Sequence, residues 1–273
     1  MRNGGTIKKG ALLGYGRTAE IFTWGDDQIV KLFHENWNVA AVEEEARIGR
    51  LVQDLGLPVP GVLGTVEVEG RHGVLYERVD GPTMLQKFSA APWSLYSLPL
   101  VLGELHASMH KHRVSELPSQ REKMIVAVEN AVPAPTVMKE HALKLIDRLP
   151  DDDFLCHGDF HPDQVIMSKG GPVIIDWIDA AKGSPAADVA RSSLALRHLA
   201  PPSGRAREWL IGLARAYAHF SYLKRYLNRS SITRQEVDEW RLPVAVALLG
   251  STTPEESIGL IALIEGLMQR EPG

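Results

Sequence analysis

The sequence changes character near residue 80, and this change is the strongest constraint on the fold. Before it, short apolar segments are separated by turn-forming residues, at Gly25-Asp26-Asp27 and again at Glu69-Gly70. Apolar segments on either side of a tight turn predict β-hairpins. Between the two hairpins, apolar residues at helical spacing predict one helix, from about Val39 to Leu55. Residues 1–80 are therefore predicted to be rich in strands.

Residues 81–273 have mainly helical patterns. A loop-rich stretch with two short predicted strands interrupts them, from Pro150 to Gly183. A strand-rich part followed by a helix-rich part is typical of the α+β class, so we predict an α+β protein that divides near residue 80. The predicted helical segments are Leu98 to His112, Ala142 to Leu149, Ala187 to Leu199, Glu208 to Leu227 and a pair of segments after Glu236.

The composition argues against several classes of function. Hydrophobic residues make up 44% and charged residues 23% of the 273 positions, as is ordinary for globular proteins in solution. The formal net charge of −4 argues against nucleic acid as a partner. Because Cys156 is the single cysteine and no apolar segment is long enough to span a bilayer, we expect a cytoplasmic protein that does not enter the membrane. The sequence does not indicate an oligomeric state.

One stretch carries side chains that suit phosphoryl transfer. Asp159 lies in the loop His157-Gly158-Asp159-Phe160-His161, Gln164 follows five positions later, and Asp176 comes directly after the apolar segment Val173-Ile174-Ile175. Phosphoryl transfer needs one carboxylate to orient the attacking hydroxyl. It also needs an amide and a second carboxylate to hold the magnesium ion that bridges the phosphates.

This stretch resembles the catalytic loop of the aminoglycoside phosphotransferase and choline kinase family, whose members are relatives of protein kinases. The resemblance covers nearly the whole chain, and it is strong over residues 10–81 and 155–190. It implies a bilobal protein kinase-like fold, with a small β-rich N-lobe (1–80) that binds nucleotide and a larger, mainly helical C-lobe (81–273) for catalysis and acceptor binding. It also implies that Asp159 is the catalytic base, that Gln164 and Asp176 are the metal ligands, and that Asp188 braces the catalytic loop.

Gln164 departs from the family pattern, which usually has asparagine at this position. Glutamine offers the same amide oxygen on a stem that is longer by about 1.5 Å. Because Mg²⁺ requires tight octahedral geometry, this substitution points to weaker or water-mediated metal binding.

The nucleotide side of the predicted site begins with Gly14 and Gly16, in a G-x-G-x-x-A pattern between two strand-like segments. Glycines in such a turn let backbone amides approach phosphates, although a plain hairpin turn would explain them as well. Lys31 lies in an apolar strand, where the kinase resemblance implies that it holds the α- and β-phosphates. Such a lysine needs a carboxylate from the next helix. Glu44 and Glu45 both fit by helical spacing, and the resemblance favours Glu45.

The segment after the second hairpin, Tyr76-Glu77-Arg78-Val79, resembles the hinge of the family. In that family, backbone groups of the hinge bind adenine. Carried over to this chain, the groups are the carbonyl of Glu77 and the amide of Val79. Without the other motifs, the segment would be interpreted as an ordinary linker.

Several other polar and aromatic residues have simpler structural interpretations. His106 and His110 lie four residues apart, but no glutamate follows His106 as the zinc metalloprotease motif requires, so a structural role is favoured. Cys156 has apolar neighbours and is predicted to be buried rather than nucleophilic. Asp179 fits a second metal contact or a plain turn equally well. Aromatic residues on the helix around residues 217–226 fit a core better than a ligand cage.

Together these residues predict an ATP- or GTP-dependent phosphotransferase that uses Mg²⁺ and acts on a hydroxyl of a small molecule. The resemblance is weak in the parts that bind the acceptor, so an aminoglycoside, an amino alcohol, a sugar or a related metabolite all remain open. The alternative is a catalytically impaired nucleotide-binding protein with a regulatory or scaffold role, which Gln164 alone favours. A protein kinase is the least favoured, because no Ala-Pro-Glu segment follows Asp176.

Overall fold

The computed structural model describes residues 9–35, 37–198 and 208–269. The strands in this part of the chain are β1 (Lys9–Tyr15), β2 (Ala19–Trp24), β3 (Gln28–Phe33), β4 (Val62–Val68), β5 (Arg71–Glu77), β6 (Phe154–Cys156), β7 (Val165–Ser168), β8 (Gly171–Ile174) and β9 (Ala181–Gly183). The helices are α1 (Val39–Asp54), α2 (Met84–Ala90), α3 (Leu98–Met109), α4 (Gln120–Glu129), α5 (Thr136–Arg148), α6 (Pro185–His198), α7 (Glu208–Leu227), α8 (Arg234–Glu239), α9 (Arg241–Leu248) and α10 (Pro254–Met268).

The chain forms two compact units. The first comprises Met1–Gln86 and Asp163–Ile178, and the second comprises Lys87–Pro162 and Asp179–Gly273. The first unit therefore includes residues 163–178, which lie well after the division predicted near residue 80.

The first unit contains a five-stranded antiparallel sheet in the order β1-β2-β3-β5-β4. Its hairpins turn where the sequence predicts. Gly25 has a φ of +68° between β2 and β3, and Glu69 and Gly70 have φ values of +54° and +76° between β4 and β5. Two consecutive residues with positive φ are typical of the turns whose twist matches that of the flanking strands. Both predicted hairpins are confirmed.

Helix α1 packs against this sheet. Its N-terminus is capped by the Asn38 side chain, which accepts a hydrogen bond from the Ala41 amide at 2.8 Å, and Gly56, with a φ of +77°, follows its C-terminus. At Gly49 an added Cβ would lie 2.6 Å from a methyl carbon of Val62, so the helix approaches the sheet closely. The buried core between helix and sheet consists of Ala19, Phe33, Val42, Ala46 and Val74.

The segment Asp163–Ile178 joins the first unit through backbone hydrogen bonds. The Ile174 amide donates to the Pro58 carbonyl at 2.7 Å, and the Met167 amide donates to the Pro82 carbonyl at 2.9 Å. Strands β7 and β8 of this segment pair as a hairpin. The two bonds attach the hairpin to the segment before β4 and to the segment after β5.

The second unit is mainly helical. Its helices α3 and α7 approach each other closely, because a Cβ at Gly103 would lie only 2.6 Å from the backbone oxygen of Tyr222. Strands β6 and β9 pair antiparallel, with Phe154 opposite Gly183 and Cys156 opposite Ala181. The β6 strand leads directly into the loop that begins at His157.

Some predicted elements differ from those observed. The prediction of two short strands between Pro150 and Gly183 is wrong, because four strands of three or four residues lie there; strands this short show too little alternation to be recognised. Helices α2 and α4 were not predicted, and the predicted end at Leu199 lies outside the described residues. Among the described helices, none combines the length and the apolar character that a bilayer crossing requires.

Candidate functional site

Lys31 is the centre of a polar cluster in the first unit. It lies in the middle of β3, opposite Ile21 on β2 and Val74 on β5, and is only 8% exposed. Its Nζ lies 2.8 Å from Oε1 of Glu45 and 2.7 Å from Oδ1 of Asp176. Lys31 is thus held between two carboxylates, one from α1 and one from the segment after β8.

The structure distinguishes the two glutamates that the sequence left open. Glu45 faces the sheet, is 2% exposed, and accepts a further hydrogen bond from the Tyr76 hydroxyl at 3.0 Å. Glu44 instead pairs with Arg47 on the same helix, at 2.6 Å. Of the two, Glu45 is therefore the carboxylate that contacts Lys31.

The cluster contains more negative than positive charge. Burial lowers the pKa of Lys31, but Glu45 and Asp176 outweigh burial, and the net shift is upwards. Lys31 therefore stays charged at neutral pH. Burial raises the pKa of Glu45 and the charge of Lys31 lowers it. Because Lys31 is shared with Asp176, the effect of burial is the larger and the net shift is upwards. An excess of negative charge favours an additional cation beside these carboxylates.

Asp176 and Gln164 lie together and fit a magnesium ion by their chemistry. The Gln164 carbonyl accepts a hydrogen bond from the Ile175 amide at 3.0 Å, and the side-chain Nε2 of Gln164 lies 3.4 Å from Oδ2 of Asp176. Asp176 has a φ of +62°, which is rare for a residue other than glycine and is common at functional sites. Carboxylate and amide oxygens are the ligands that Mg²⁺ prefers. For Gln164 to present its oxygen, its amide would have to rotate.

The glycine turn and the predicted hinge also belong to the first unit. Gly14 is in β1, and Gly16 lies in the turn to β2, where its amide donates to the Ala19 carbonyl at 2.9 Å. Neither glycine has a positive φ. Glu77 ends β5, and Val79 lies two residues further on, before α2. Gly16 lies in the predicted turn, but Gly14 lies within β1 rather than between two strands, because β1 extends to Tyr15. The contacts of these residues with a nucleotide stay predictions.

Asp159 lies in the second unit, where two basic side chains hold its carboxylate. Arg191 donates from Nη2 to Oδ1 at 3.1 Å, and Nε2 of His161 lies 3.5 Å from Oδ2. Burial raises the pKa of Asp159, but the His161 hydrogen bond and the Arg191 charge outweigh burial, so the pKa lies below its ordinary range. Asp159 is therefore ionised at neutral pH and held in a fixed orientation.

The loop that carries Asp159 is braced by Asp188. The Asp188 carboxylate accepts hydrogen bonds from the backbone amides of His157, at 2.7 Å, and Gly158, at 3.0 Å. It also lies 3.1 Å from Nε2 of His106 and 3.3 Å from Nε2 of His110. Burial raises the pKa of Asp188, but these histidine contacts outweigh burial and hold the pKa well below its usual range. This geometry agrees with the bracing role that the family resemblance implies.

The same histidines are fully occupied by hydrogen bonds. Nδ1 of His106 lies 2.7 Å from the Tyr222 hydroxyl, and Nδ1 of His110 lies 2.7 Å from the Tyr226 hydroxyl. Although His106, His110 and Asp188 lie close enough to hold a metal ion, zinc would require nitrogen and oxygen ligands at about 2.0–2.2 Å from the ion. Each potential ligand atom instead has a protein partner at hydrogen-bond distance. The cluster is a structural network, as the sequence favours.

Cys156 is fully buried next to this loop. Burial raises the pKa of its thiol well above the ordinary value, so the reactive thiolate is disfavoured. Asp179 contributes its backbone carbonyl, which accepts a hydrogen bond from Lys123 at 3.2 Å. The Asp179 carboxylate is exposed, which agrees equally with a second metal contact and with a plain turn residue.

Two basic residues that contact the Asp159 carboxylate were not predicted from the sequence. Arg191 lies on α6, three residues after Asp188, and His161 lies two residues after Asp159. Helical spacing places Arg191 on the same side of α6 as Asp188. That spacing is the signal from which an Arg191 contact with the braced loop could have been inferred.

The fold is similar to that of known small-molecule kinases. A choline/ethanolamine kinase family protein from Mesorhizobium loti superposes with a TM-score of 0.63 at 17% identity, covering 98% of this chain and 90% of that one. An amicoumacin kinase in complex with AMP-PNP, Ca²⁺ and Ami gives 0.62 at 13% identity, with 96% and 88% covered. An aminoglycoside phosphotransferase from Streptomyces rimosus, in complex with ADP and streptomycin, gives 0.58 at 17% identity, with 84% and 90% covered. The predicted α+β kinase-like fold is thereby confirmed.

The sequence itself was also compared with known proteins and families. No curated protein matches it. The model of the phosphotransferase enzyme family (APH) matches residues 16–227. This range contains every predicted site residue except Gly14, and it covers more than half of the chain, so the protein belongs to the APH phosphotransferase enzyme family.

Proposed function

We propose that this protein transfers the γ-phosphoryl group of ATP, or of GTP, to a hydroxyl group of a small molecule, with Mg²⁺ as the metal ion. The observation that carries the proposal is the buried Lys31, held at 2.8 Å by Glu45 and at 2.7 Å by Asp176. A lysine fixed by a helix glutamate is the group with which kinase-like enzymes hold the nucleotide phosphates. Because the cost of desolvating buried charges can exceed their mutual attraction, stability alone does not explain this cluster.

The nucleotide is bound by residues of the first unit. Lys31 donates to the α- and β-phosphates, and the backbone around Gly14 and Gly16 approaches the phosphate chain. The carbonyl of Glu77 and the amide of Val79 bind the nucleobase. These roles follow from the family resemblance, and the position of Lys31 in the sheet supports them.

The metal ion would be held by Gln164 and Asp176. When bound, Mg²⁺ neutralises charge on the β- and γ-phosphates. Asp176 already presents a carboxylate that is about one-third exposed. Gln164 supplies a neutral amide, so the two side chains together add one negative charge towards the cation.

Asp159 orients the acceptor hydroxyl and accepts its proton. The pKa of this carboxylate lies below its ordinary range because of His161 and Arg191, so Asp159 is a weak base. A weak base is sufficient where the transition state is loose and catalysis depends mainly on positioning. Arg191 and His161 then serve to fix the carboxylate that receives the hydroxyl.

An acceptor screen with a matched pair of variants tests this proposal. ADP release in the presence of Mg²⁺ is measured with amino alcohols, sugars and aminoglycosides as candidate acceptors. For an acceptor that stimulates release, Asp159→Asn should lower the rate by about 10²–10⁴-fold, while the rise in melting temperature caused by ATP persists. Asp147→Asn, which removes an exposed carboxylate from α5 of the same unit, should leave the rate unchanged. Acceptor-stimulated release that survives Asp159→Asn would refute the role of Asp159.

A second function, nucleotide binding without transfer, is favoured by one observation. The amide nitrogen of Gln164, rather than its oxygen, faces Asp176 at 3.4 Å, an arrangement that does not favour a metal ion. On this hypothesis ATP raises the melting temperature equally with and without Mg²⁺, and no acceptor stimulates ADP release. A Mg²⁺-dependent ATP effect together with stimulated release would exclude it.

A further inference from the structure

The second unit contains a cavity lined by basic, aromatic and aliphatic side chains. It has a volume of about 240 Å³ and lies where the end of α6, the C-terminal half of α7 and the start of α8 meet. Its lining includes Arg197 from α6, three residues of α7 (His219, Phe220 and Lys224), and Arg234 from α8. None of these residues has a role in the function proposed above.

Positive charge exceeds negative charge around this cavity. Arg197, Lys224 and Arg234 line it, and the charge of Arg241 acts on the same region. Among the described side chains, the carboxylate recorded near this group is Asp238, which lies 3.4 Å from Arg241 and 3.8 Å from Arg234. Of the described residues, three arginines therefore share the Asp238 carboxylate, and Lys224 adds a further positive charge to the lining.

His219 provides a second, independent indication of a ligand. Its side chain lines the cavity and is only 7% exposed. Burial and the charges of Arg197, Arg234 and Arg241 lower its pKa to about 4, so the ring is neutral at physiological pH and carries one N–H donor. Within the described ranges no hydrogen bond to this ring is found, so its N–H is available to a group that enters the cavity.

We propose that this cavity binds the anionic group of a small ligand, a phosphate or a carboxylate. The three cations that line it attract the anion, and the N–H of His219 donates to one of its oxygens. Phe220 and the other apolar side chains of α7 that line the cavity contact the uncharged part of the ligand. The volume is below the common range of about 300–1,000 Å³ for drug-sized ligands, which suits one anionic group with a short apolar extension. The site does not depend on the function proposed above.

Titration with inorganic phosphate and, separately, with acetate tests this site. The imidazole signals of His219 are followed by NMR at pH 7.5 and about 50 mM NaCl, since higher salt screens the cations. Movement of these signals with phosphate alone identifies a phosphate site, and movement with acetate alone identifies a carboxylate site. If neither anion moves them, the proposal is overturned.

Two variants and a matched control separate this cavity from other anion sites, including the predicted nucleotide site. Lys224→Gln and Arg234→Gln should each raise the Kd of the bound anion by about tenfold, the value of one charge-assisted hydrogen bond. Arg225→Gln removes the neighbouring charge on α7, but Arg225 pairs with Glu104 at 2.6 Å and does not line the cavity, so its Kd should equal that of the wild type. If both cavity variants, folded by circular dichroism, bind the anion as the wild type does, the anion binds elsewhere and the proposal fails.

Discussion

The buried network around Asp188 predicts how the stability of this protein responds to acid. His106 is fully buried, and it lies between the Asp188 carboxylate and the Tyr222 hydroxyl. As a neutral ring with a proton on Nε2, it donates to Asp188 and accepts from Tyr222. Burial and the neighbouring His110 lower the pKa of His106 from 6.5 to about 4, although Asp188 opposes this shift. The folded protein therefore resists protonating this ring.

The size of the effect follows from the two pKa values. As the pH falls below 6.5, His106 in the unfolded chain takes up a proton, but His106 in the folded chain does not do so until about pH 4. The unfolded state binds more protons in this window, so the free energy of unfolding falls as the pH falls. At about 1.4 kcal/mol per pH unit, the loss through His106 is about 3 kcal/mol. This stabilisation is fully present above pH 6.5.

Urea unfolding of the wild type and of His106→Gln at pH 7.5 and pH 4.5 measures this contribution. Glutamine keeps an amide donor for Asp188 but does not titrate. The wild type should lose about 2–3 kcal/mol more between the two pH values than the variant does. As a control for the loss of a histidine, His112→Gln removes a half-buried histidine outside the network, and its pH dependence is compared with that of His106→Gln. Buried Trp240 reports unfolding of the second unit by fluorescence.

An equal pH dependence in the wild type and in His106→Gln would refute this reasoning. It would mean that His106 takes up its proton at the same pH in both states, and hence that Asp188 stabilises the charged ring as much as burial disfavours it. A steeper dependence in the variant would contradict the neutral form assigned to the ring.

Two further substitutions test other parts of the structure. Gln164→Asn shortens the amide stem and should keep or raise acceptor-stimulated ADP release at limiting Mg²⁺. A fall in this rate of more than about tenfold would show that the longer stem is required. Such a fall corresponds to about 1.4 kcal/mol in the activation barrier. Gly103→Ala should lower the free energy of unfolding by about 1–3 kcal/mol, because the new Cβ would lie 2.6 Å from the Tyr222 carbonyl oxygen. At Gly212 on α7 no atom lies within 4 Å of an added Cβ, so Gly212→Ala should be neutral or stabilise the helix by up to about 1 kcal/mol. Equal effects of the two substitutions on the free energy of unfolding would contradict the close approach of α3 and α7.

Much of the fold could be predicted because local signals agree with it. The turn at Glu69-Gly70, the helix that begins after Asn38 and the apolar segment before Asp176 each carry their own pattern. Helix α4 was missed because charged residues dominate its first turn and only Val128 is buried, which leaves no apolar stripe. Short strands such as β6 have no room for a recognisable alternation.

The contacts of the site depend on tertiary structure and could be predicted only in part. Helical spacing allowed either Glu44 or Glu45 to meet Lys31, and packing of α1 on the sheet decides between them. The contact of Arg191 with Asp159 joins residues 32 positions apart. The spacing of Asp188 and Arg191 on α6 places Arg191 near the braced loop but does not by itself identify Asp159 as its partner. On α7, Tyr222 is fully buried whereas Phe220 is 56% exposed, so the predicted aromatic core holds for only one side of that helix.

The backbone at Gly14 has a conformation that any residue can adopt, so folding alone does not explain a glycine at this position. Because its φ is not positive and a Cβ there would meet Ile21 only at 3.8 Å, alanine can occupy the position without strain or displacement of neighbours. Conformation therefore gives folding no reason to require glycine at residue 14. If sequences of this family that retain Lys31 also retain Gly14, the constraint would come from a ligand that approaches the Cα of residue 14. Glycine at this position would then indicate that the protein binds nucleotide.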